Sequence, residues 1–87
     1  MKQIISTENQ LGHLIQGLRK SQQLTQAQLA QKAGISQARL SVLELNPGRI
    51  TIERLLRIMG ALDLEMVIQE KADATPTYSI AQQPSEW

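Results

Sequence analysis

Apolar residues recur at helical spacing near the start of the chain, where Thr7 is followed three residues later by Gln10. A threonine and a glutamine at this distance form a capping box, in which each side chain bonds the other residue's backbone amide. The pattern predicts a first helix that begins after Thr7. Its apolar face consists of Leu11, Leu14, Ile15 and Leu18.

A second capping box, Thr25 with Gln28, predicts the start of another short helix. Gly34 then stands where a helix ends in the left-handed conformation, which glycine adopts without a steric cost. Ser36 follows as the cap of a third helix. The residues that this third helix is expected to bury are Leu40 and Leu43.

The turn sequence Asn-Pro-Gly at residues 46–48 separates the third helix from a fourth. Thr51 caps this fourth helix, which we expect to run from Ile52 to about Leu62. Its inward face is predicted to consist of Ile52, Leu55, Leu56 and Met59.

The period of the pattern changes from helical to alternating at residues 64–70, which predicts a half-buried β-strand. A single strand cannot satisfy its own backbone hydrogen bonds, so the partner we favour is the same strand of a second copy, related by a two-fold axis. The alternatives are an extension of the fourth helix and pairing with residues 2–5. The side chains on the buried face of this dimer strand are Leu64, Met66 and Ile68.

Composition narrows the class of protein. Eighty-seven residues without a cysteine are typical of one domain in a reducing compartment, and no apolar run is long enough to span a membrane, so we expect a cytoplasmic protein. Residues 1–62 hold eight Lys and Arg against three Asp and Glu, whereas residues 63–87 hold one Lys against five Asp and Glu. The charges of +5 and −4 favour an anionic partner for the body of the chain and a different role for its end, and the alternative is an ordinary charged surface.

The segment from Thr25 to Glu44 carries the strongest functional signal. Two short helices meet at Gly34, Ala30 is small enough to let them approach, and Ile35 packs in the angle between them. This is the description of a helix-turn-helix, although such corners also occur in proteins that never touch DNA. We therefore predict an all-α fold of four to five short helices with a central helix-turn-helix and one C-terminal strand. Residues 1–70 form its DNA-binding and dimerisation domain, and residues 71–87 a disordered tail.

Residues 11–62 resemble the Cro/C1 (Xre) family of repressors, which have a lambda-repressor-like fold. The motifs that carry the resemblance are Leu18-Arg19, Leu24-Thr25-Gln26, Leu29-Ala30, Gly34-Ile35-Ser36, Leu40-Ser41-Val42-Leu43-Glu44 and Thr51-Ile52-Glu53. The resemblance implies that the third helix lies in the major groove of operator DNA. It also implies that Arg19 and Glu44 form a structural bridge between the first and third helices.

Residue types suggest how this third helix contacts DNA. The amide of Gln37 suits adenine, and the methyl groups of Ala38 and Val42 suit the methyl group of thymine. We read Lys20, Lys32, Arg54 and Arg57 only as general positive charge or as solvated side chains. At the helix N-termini the expected phosphate contacts are Thr25, Gln26, Ser36 and Thr51, and the resemblance implies further ones at Ser41 and Arg49. For Arg39 we favour a phosphate contact, with guanine as the alternative.

Within this family the chain is most similar to the HipB-type antitoxins, in its length, its strand after the fourth helix and its tail ending in Glu-Trp. Those proteins are dimers that bind their own operator and hold a HipA-type serine/threonine kinase toxin, and the resemblance implies the same partners here. Trp87, at the end of a tail without a core to enter, is the expected toxin contact.

Two other functions stay open at this stage: a stand-alone repressor without a toxin, and a helix-turn-helix-shaped protein-interaction module. Catalysis is not expected, because His13 is the only histidine and the acidic residues show no metal-ligand spacing. We also expect no cofactor and no metal.

Overall fold

Each of the four predicted helices begins at its predicted cap in the computed structural model, which describes residues 1–71. Both capping boxes are present, since Thr7 and Thr25 each exchange hydrogen bonds with the glutamine three residues on. The hydroxyl groups of Ser36 and Thr51 accept from the backbone amides three residues further along. The helices are α1 (Glu8–Ser21), α2 (Gln26–Ala33), α3 (Gln37–Leu45) and α4 (Ile52–Ala61), with a 3-10 turn at Pro47–Arg49 between the last two.

Three of these helices end in the same way, on a residue in the left-handed conformation. After α2 this residue is Gly34, at φ 72°, as the sequence indicated. After α1 and α4 it is Gln23, at φ 59°, and Asp63, at φ 60°, neither of which the sequence marked. In each case the amide of the next residue bonds the carbonyl five positions back, which is the Schellman arrangement. The apolar residues that follow and pack on the core are Leu24, Ile35 and Leu64.

The core lies where α2 packs against α4 and α3, and where α3 packs against α1. It contains no aromatic side chain, and its buried members are joined by half-buried leucines and isoleucines from the turns. Confirmed members include Leu40 and Leu43 of α3. The buried hydrophobic residues are Ile15, Leu29, Ala30, Ala33, Leu40, Leu43, Leu55, Ile58, Met59 and Leu62.

The predicted inward face of α4 was wrong at two positions. Ile52 is 63% exposed and Leu56 is 48% exposed, whereas Ile58 is fully buried. Two apolar stripes with helical spacing overlap on this helix and share Leu55 and Met59. Because α4 packs against α2, the stripe that includes Ile58 is buried. Ile52 and Leu56, which belong only to the other stripe, stay in solvent.

Residues 64–71 form neither helix nor strand in the single chain. The suggested helix extension is wrong, because α4 ends at Ala61. Pairing with residues 2–5 is also absent, since residues 1–6 carry no strand. A strand formed between two copies stays a prediction. The proposed tail contact Trp87 and the remainder of residues 72–87 lie outside the described part of the chain. No helix within residues 1–71 has the length and apolar character to cross a membrane.

Opposite substitutions at two helix ends test the Schellman arrangement. Gly34→Ala places a Cβ on a left-handed residue and should lower the free energy of unfolding by about 1–2 kcal/mol. Gln23→Gly relieves the same strain and should raise it by about 0.5 kcal/mol, because the added freedom of the unfolded chain offsets part of the gain. Urea denaturation measures both.

Gly17→Ala is the control, since this helical glycine has φ below zero and open space around its Cβ position. It should raise the free energy of unfolding by about 0.5–1 kcal/mol. If Gly34→Ala were as stabilising as Gly17→Ala, the left-handed end of α2 would not be a constraint on the fold.

Candidate nucleic-acid interface

The corner between α2 and α3 leaves one face of α3 in solvent. Ala30 is buried and lets the two helices approach, while Ile35 of the turn packs on the core. Because Leu40 and Leu43 point inward, the opposite side of the helix must point outward. The exposed residues of α3 are Gln37, Ala38, Arg39, Val42 and Leu45, which include all three predicted base contacts.

Three helix N-termini supply the predicted phosphate-binding groups. Thr25, Ser36 and Thr51 are exposed caps, and each hydroxyl group satisfies one backbone amide of its helix. Other amides of the first turn have no acceptor within the helix, and the helix dipole is positive there. Capping and phosphate binding are therefore compatible at all three ends.

The other predicted phosphate contacts differ in their exposure and in the hydrogen bonds that they already make. Arg39 and Arg49 are exposed, whereas Ser41 is half-buried in α3. Gln26 is also half-buried, and its Nε2 donates to Oε1 of Glu44 over 3.0 Å. One N–H bond of this amide is thus used inside the protein. An amide group carries a second N–H bond and a carbonyl oxygen, and these remain for a ligand.

A buried ion pair sets the position of α3 relative to α1, as the predicted bridge required. Nε of Arg19 donates to Oε2 of Glu44 over 2.7 Å, and Nη2 donates to Oε1 over 3.2 Å. Nη1 of the same guanidinium donates to the carbonyl of Leu24 over 2.8 Å. The two side chains are only 10% and 2% exposed. Together with Gln26, the pair links the last turn of α1, the start of α2 and the last turn of α3.

Arg54 has a more definite place than the general charge that the sequence suggested. It lines a groove of about 260 Å³ beside α3, together with Arg39 and Arg49. The signal in the sequence was the position of Arg54 in the first turn of α4, three residues after the cap Thr51. The sequence did not show that the three arginines converge. Within residues 1–71, no group of three or more His, Asp or Glu side chains could hold a metal ion.

A helix-turn-helix corner whose second helix exposes one face is the arrangement found in a large class of DNA-binding proteins. The sequence profile of the family described as Helix-turn-helix matches residues 15–68, and the chain belongs to this family. It is 35% identical to Antitoxin HipB of Escherichia coli (strain K12) over 85 residues, which cover 98% of this chain and 96% of that protein. It is 33% identical to Antitoxin HipB of Escherichia coli O6:H1 (strain CFT073), over 98% of this chain and 89% of that protein.

The chain is also similar to solved structures of HipB. The chain superposes on HipB in the HipA-HipB-O2-O3 complex with a TM-score of 0.75 and 33% identity, over 79% of this chain and 97% of that one. For the HipB-O1-O2 complex the TM-score is 0.74 and the identity 33%, over 79% of this chain and all of that one. Within the helix-turn-helix family, the chain is therefore a member of the HipB antitoxins.

Removal of one partner from the buried ion pair should destabilise the protein strongly. Glu44→Ala leaves the guanidinium of Arg19 buried without its carboxylate, and we expect a loss of about 3–5 kcal/mol in the free energy of unfolding. Thermal or urea denaturation measures this loss.

Glu53→Ala is the matched control, because Glu53 pairs with Arg57 over 3.6 Å on the exposed side of α4. That pair should contribute under about 0.5 kcal/mol. Equal losses for the two variants would mean that burial does not distinguish the two ion pairs.

Proposed function

We propose that this chain is an antitoxin and transcriptional repressor that binds operator DNA as a homodimer and neutralises a HipA-type serine/threonine kinase toxin in the cytoplasm. The observation that carries the proposal is the exposed, anchored face of α3 in a chain 35% identical to Antitoxin HipB over nearly its whole length. Support for the partners comes from the HipA-HipB-O2-O3 complex, in which the relative is assembled with HipA and with O2 and O3.

In this proposal α3 enters the major groove and reads base edges with its outer face. The amide of Gln37 makes a bidentate pair with adenine, and the methyl group of Ala38 contacts that of thymine. Val42 is 48% exposed, which is enough for a second apolar contact of the same kind. An α3 helix held by the Arg19–Glu44 pair keeps these side chains in register with the base pairs.

Phosphates bind around this helix. The N-termini at Thr25, Ser36 and Thr51 present backbone amides to the two strands, and these contacts fix the position of the protein. The free half of the Gln26 amide adds one bond at the start of α2. The side chains that complete the phosphate contacts are Arg39, Ser41 and Arg49.

A second copy covers the apolar residues that the single chain exposes after α4. Ile68 is 92% exposed and Met66 is 47% exposed, which is a poor arrangement for apolar side chains in water. Strand pairing between two copies would bury both on one face. Leu64 already packs on its own core and donates its amide to the carbonyl of Met59, so it joins this strand to the DNA-binding domain.

The kinase contact is proposed for the end of the chain. Trp87 is one of only two aromatic residues in the chain, and burial of an indole in a partner pocket stabilises a complex strongly. The acidic charge of residues 63–87 also suits a basic surface on the partner.

Gln37→Ala tests the DNA-binding half of the proposal. The variant should bind a duplex from its own promoter about 1–3 kcal/mol more weakly than the unmodified chain, because an adenine loses its bidentate partner. Its affinity for a duplex of unrelated sequence should not change. Gln31→Ala, an exposed glutamine of α2 away from α3's outer face, is the control. Equal losses on both duplexes would remove Gln37 from sequence readout.

Deletion of residues 84–87 tests the toxin-binding half. We expect weaker binding to the HipA-type kinase by about 2–4 kcal/mol, the contribution of a buried tryptophan, and an operator affinity within about twofold of the unmodified chain. Calorimetry with the kinase and a gel-shift assay with the operator measure the two effects. Trp87→Ala should reproduce the deletion, and Ser85→Ala should not. A kinase that bound neither form would favour a stand-alone repressor.

A further inference from the structure

Three arginines from three separate elements line one groove next to α3. Arg39 comes from the first turn of α3, Arg49 from the 3-10 turn and Arg54 from the first turn of α4. The groove has a volume of about 260 Å³. Its remaining wall consists mainly of apolar residues, namely Ile35, Ala38, Val42, Leu43 and Ile50.

None of these three guanidinium groups is neutralised within the described residues. The ion pairs found in residues 1–71 are Arg19 with Glu44 and Arg57 with Glu53, so no carboxylate there lies within 4 Å of the groove arginines. No acidic residue lines the groove either. Three like charges around one groove repel one another.

The helix dipoles add to this unfavourable arrangement. Arg39 and Arg54 are both third residues of their helices, where the dipole is positive and a cation is disfavoured. In α1 and α2, by contrast, the cations Arg19, Lys20 and Lys32 occupy the last turn, where the dipole favours them. The positive charge around the groove thus exceeds the charge of its side chains, and a bound anion would relieve it.

The position of the groove indicates which anion it binds. Ala38 and Val42 belong both to its wall and to the outer face of α3 that we propose to contact bases. When that face enters a major groove, the arginines lie beside the phosphates of the strand that borders it. Because the groove continues the face of α3 that we propose to enter DNA, its occupant is a phosphate of the DNA backbone and not a free small anion.

We propose that this groove binds the phosphates of one DNA strand and that Arg54 makes a phosphate contact of its own, in addition to those of Arg39 and Arg49. The inference rests on the proposed DNA-binding function. Arg54 is half-buried, which is typical of an arginine that packs its stem on apolar surface and keeps its guanidinium in solvent. Its fork geometry then holds two oxygen atoms of one phosphate.

The test compares Arg54→Gln with Arg57→Gln in the full chain. Both changes remove one positive charge from α4, but Arg57 pairs with Glu53 and lines a different hollow, beside Gln31 and Gly34. Affinity for a duplex from the chain's own promoter is measured at several salt concentrations. Arg54→Gln should bind about tenfold more weakly and reduce the log–log salt slope by about 0.9 per arginine, hence about 1.8 per dimer. Arg57→Gln should leave both quantities unchanged.

Two further variants separate charge from folding. Arg49→Gln changes an exposed turn residue and should reduce the salt slope by the same amount as Arg54→Gln. Arg54→Lys keeps the charge and should keep the slope, while it loses affinity because a lysine lacks the bidentate geometry.

If the wild-type chain bound the duplex with a steep salt slope and Arg54→Gln had the same slope, the inference about the groove would be wrong and the DNA-binding function would stand. A wild-type chain that left the promoter duplex unbound at low salt would overturn both. If Arg54→Gln weakened binding to the kinase and kept the DNA slope, the groove would belong to the toxin interface and the inference would be wrong.

Discussion

The buried pair of Arg19 and Glu44 is the constraint on which the DNA-facing surface depends. α3 has only nine residues and buries few apolar side chains, so packing alone gives its orientation little support. The carboxylate of Glu44 accepts from Arg19 at two points and from Gln26 at a third, which offsets the cost of burying the charges. Since Gln26 is also a proposed phosphate contact, the same network connects the interior with the surface that faces DNA.

The N-terminal and C-terminal ends of the helices have different roles in this small domain. At the N-termini, caps such as Thr25 and Thr51 satisfy one amide each and leave a positive end exposed to an anion. At the C-termini, left-handed residues turn the chain so that an apolar residue packs on the core. Short helices have many ends relative to their length, so these local interactions hold together a domain that lacks aromatic core residues.

A single copy of the chain leaves apolar surface outside its core. Ile52, Leu56 and Ile68 are all exposed in the isolated chain, although residues of this type are usually buried. A chain of 87 residues buries a smaller share of its surface than a larger protein does. Association of two copies would add buried area and place two α3 helices on one duplex, which couples stability to DNA recognition.

Local sequence by itself determined the helix starts, the turn at Gly34 and the outward set of α3. These depend on hydrogen bonds and periodicities within four residues, which the order of residues shows directly. Three features were visible only in the tertiary structure: the left-handed ends at Gln23 and Asp63, the stripe of α4 that faces α2, and the convergence of Arg54 with two other arginines. The ends at Gln23 and Asp63 are local turns, but neither residue is the glycine that marks a left-handed end in a sequence. The α4 stripe and the arginine groove depend on which surfaces of distant segments come into contact, and spacing along a chain does not encode that contact.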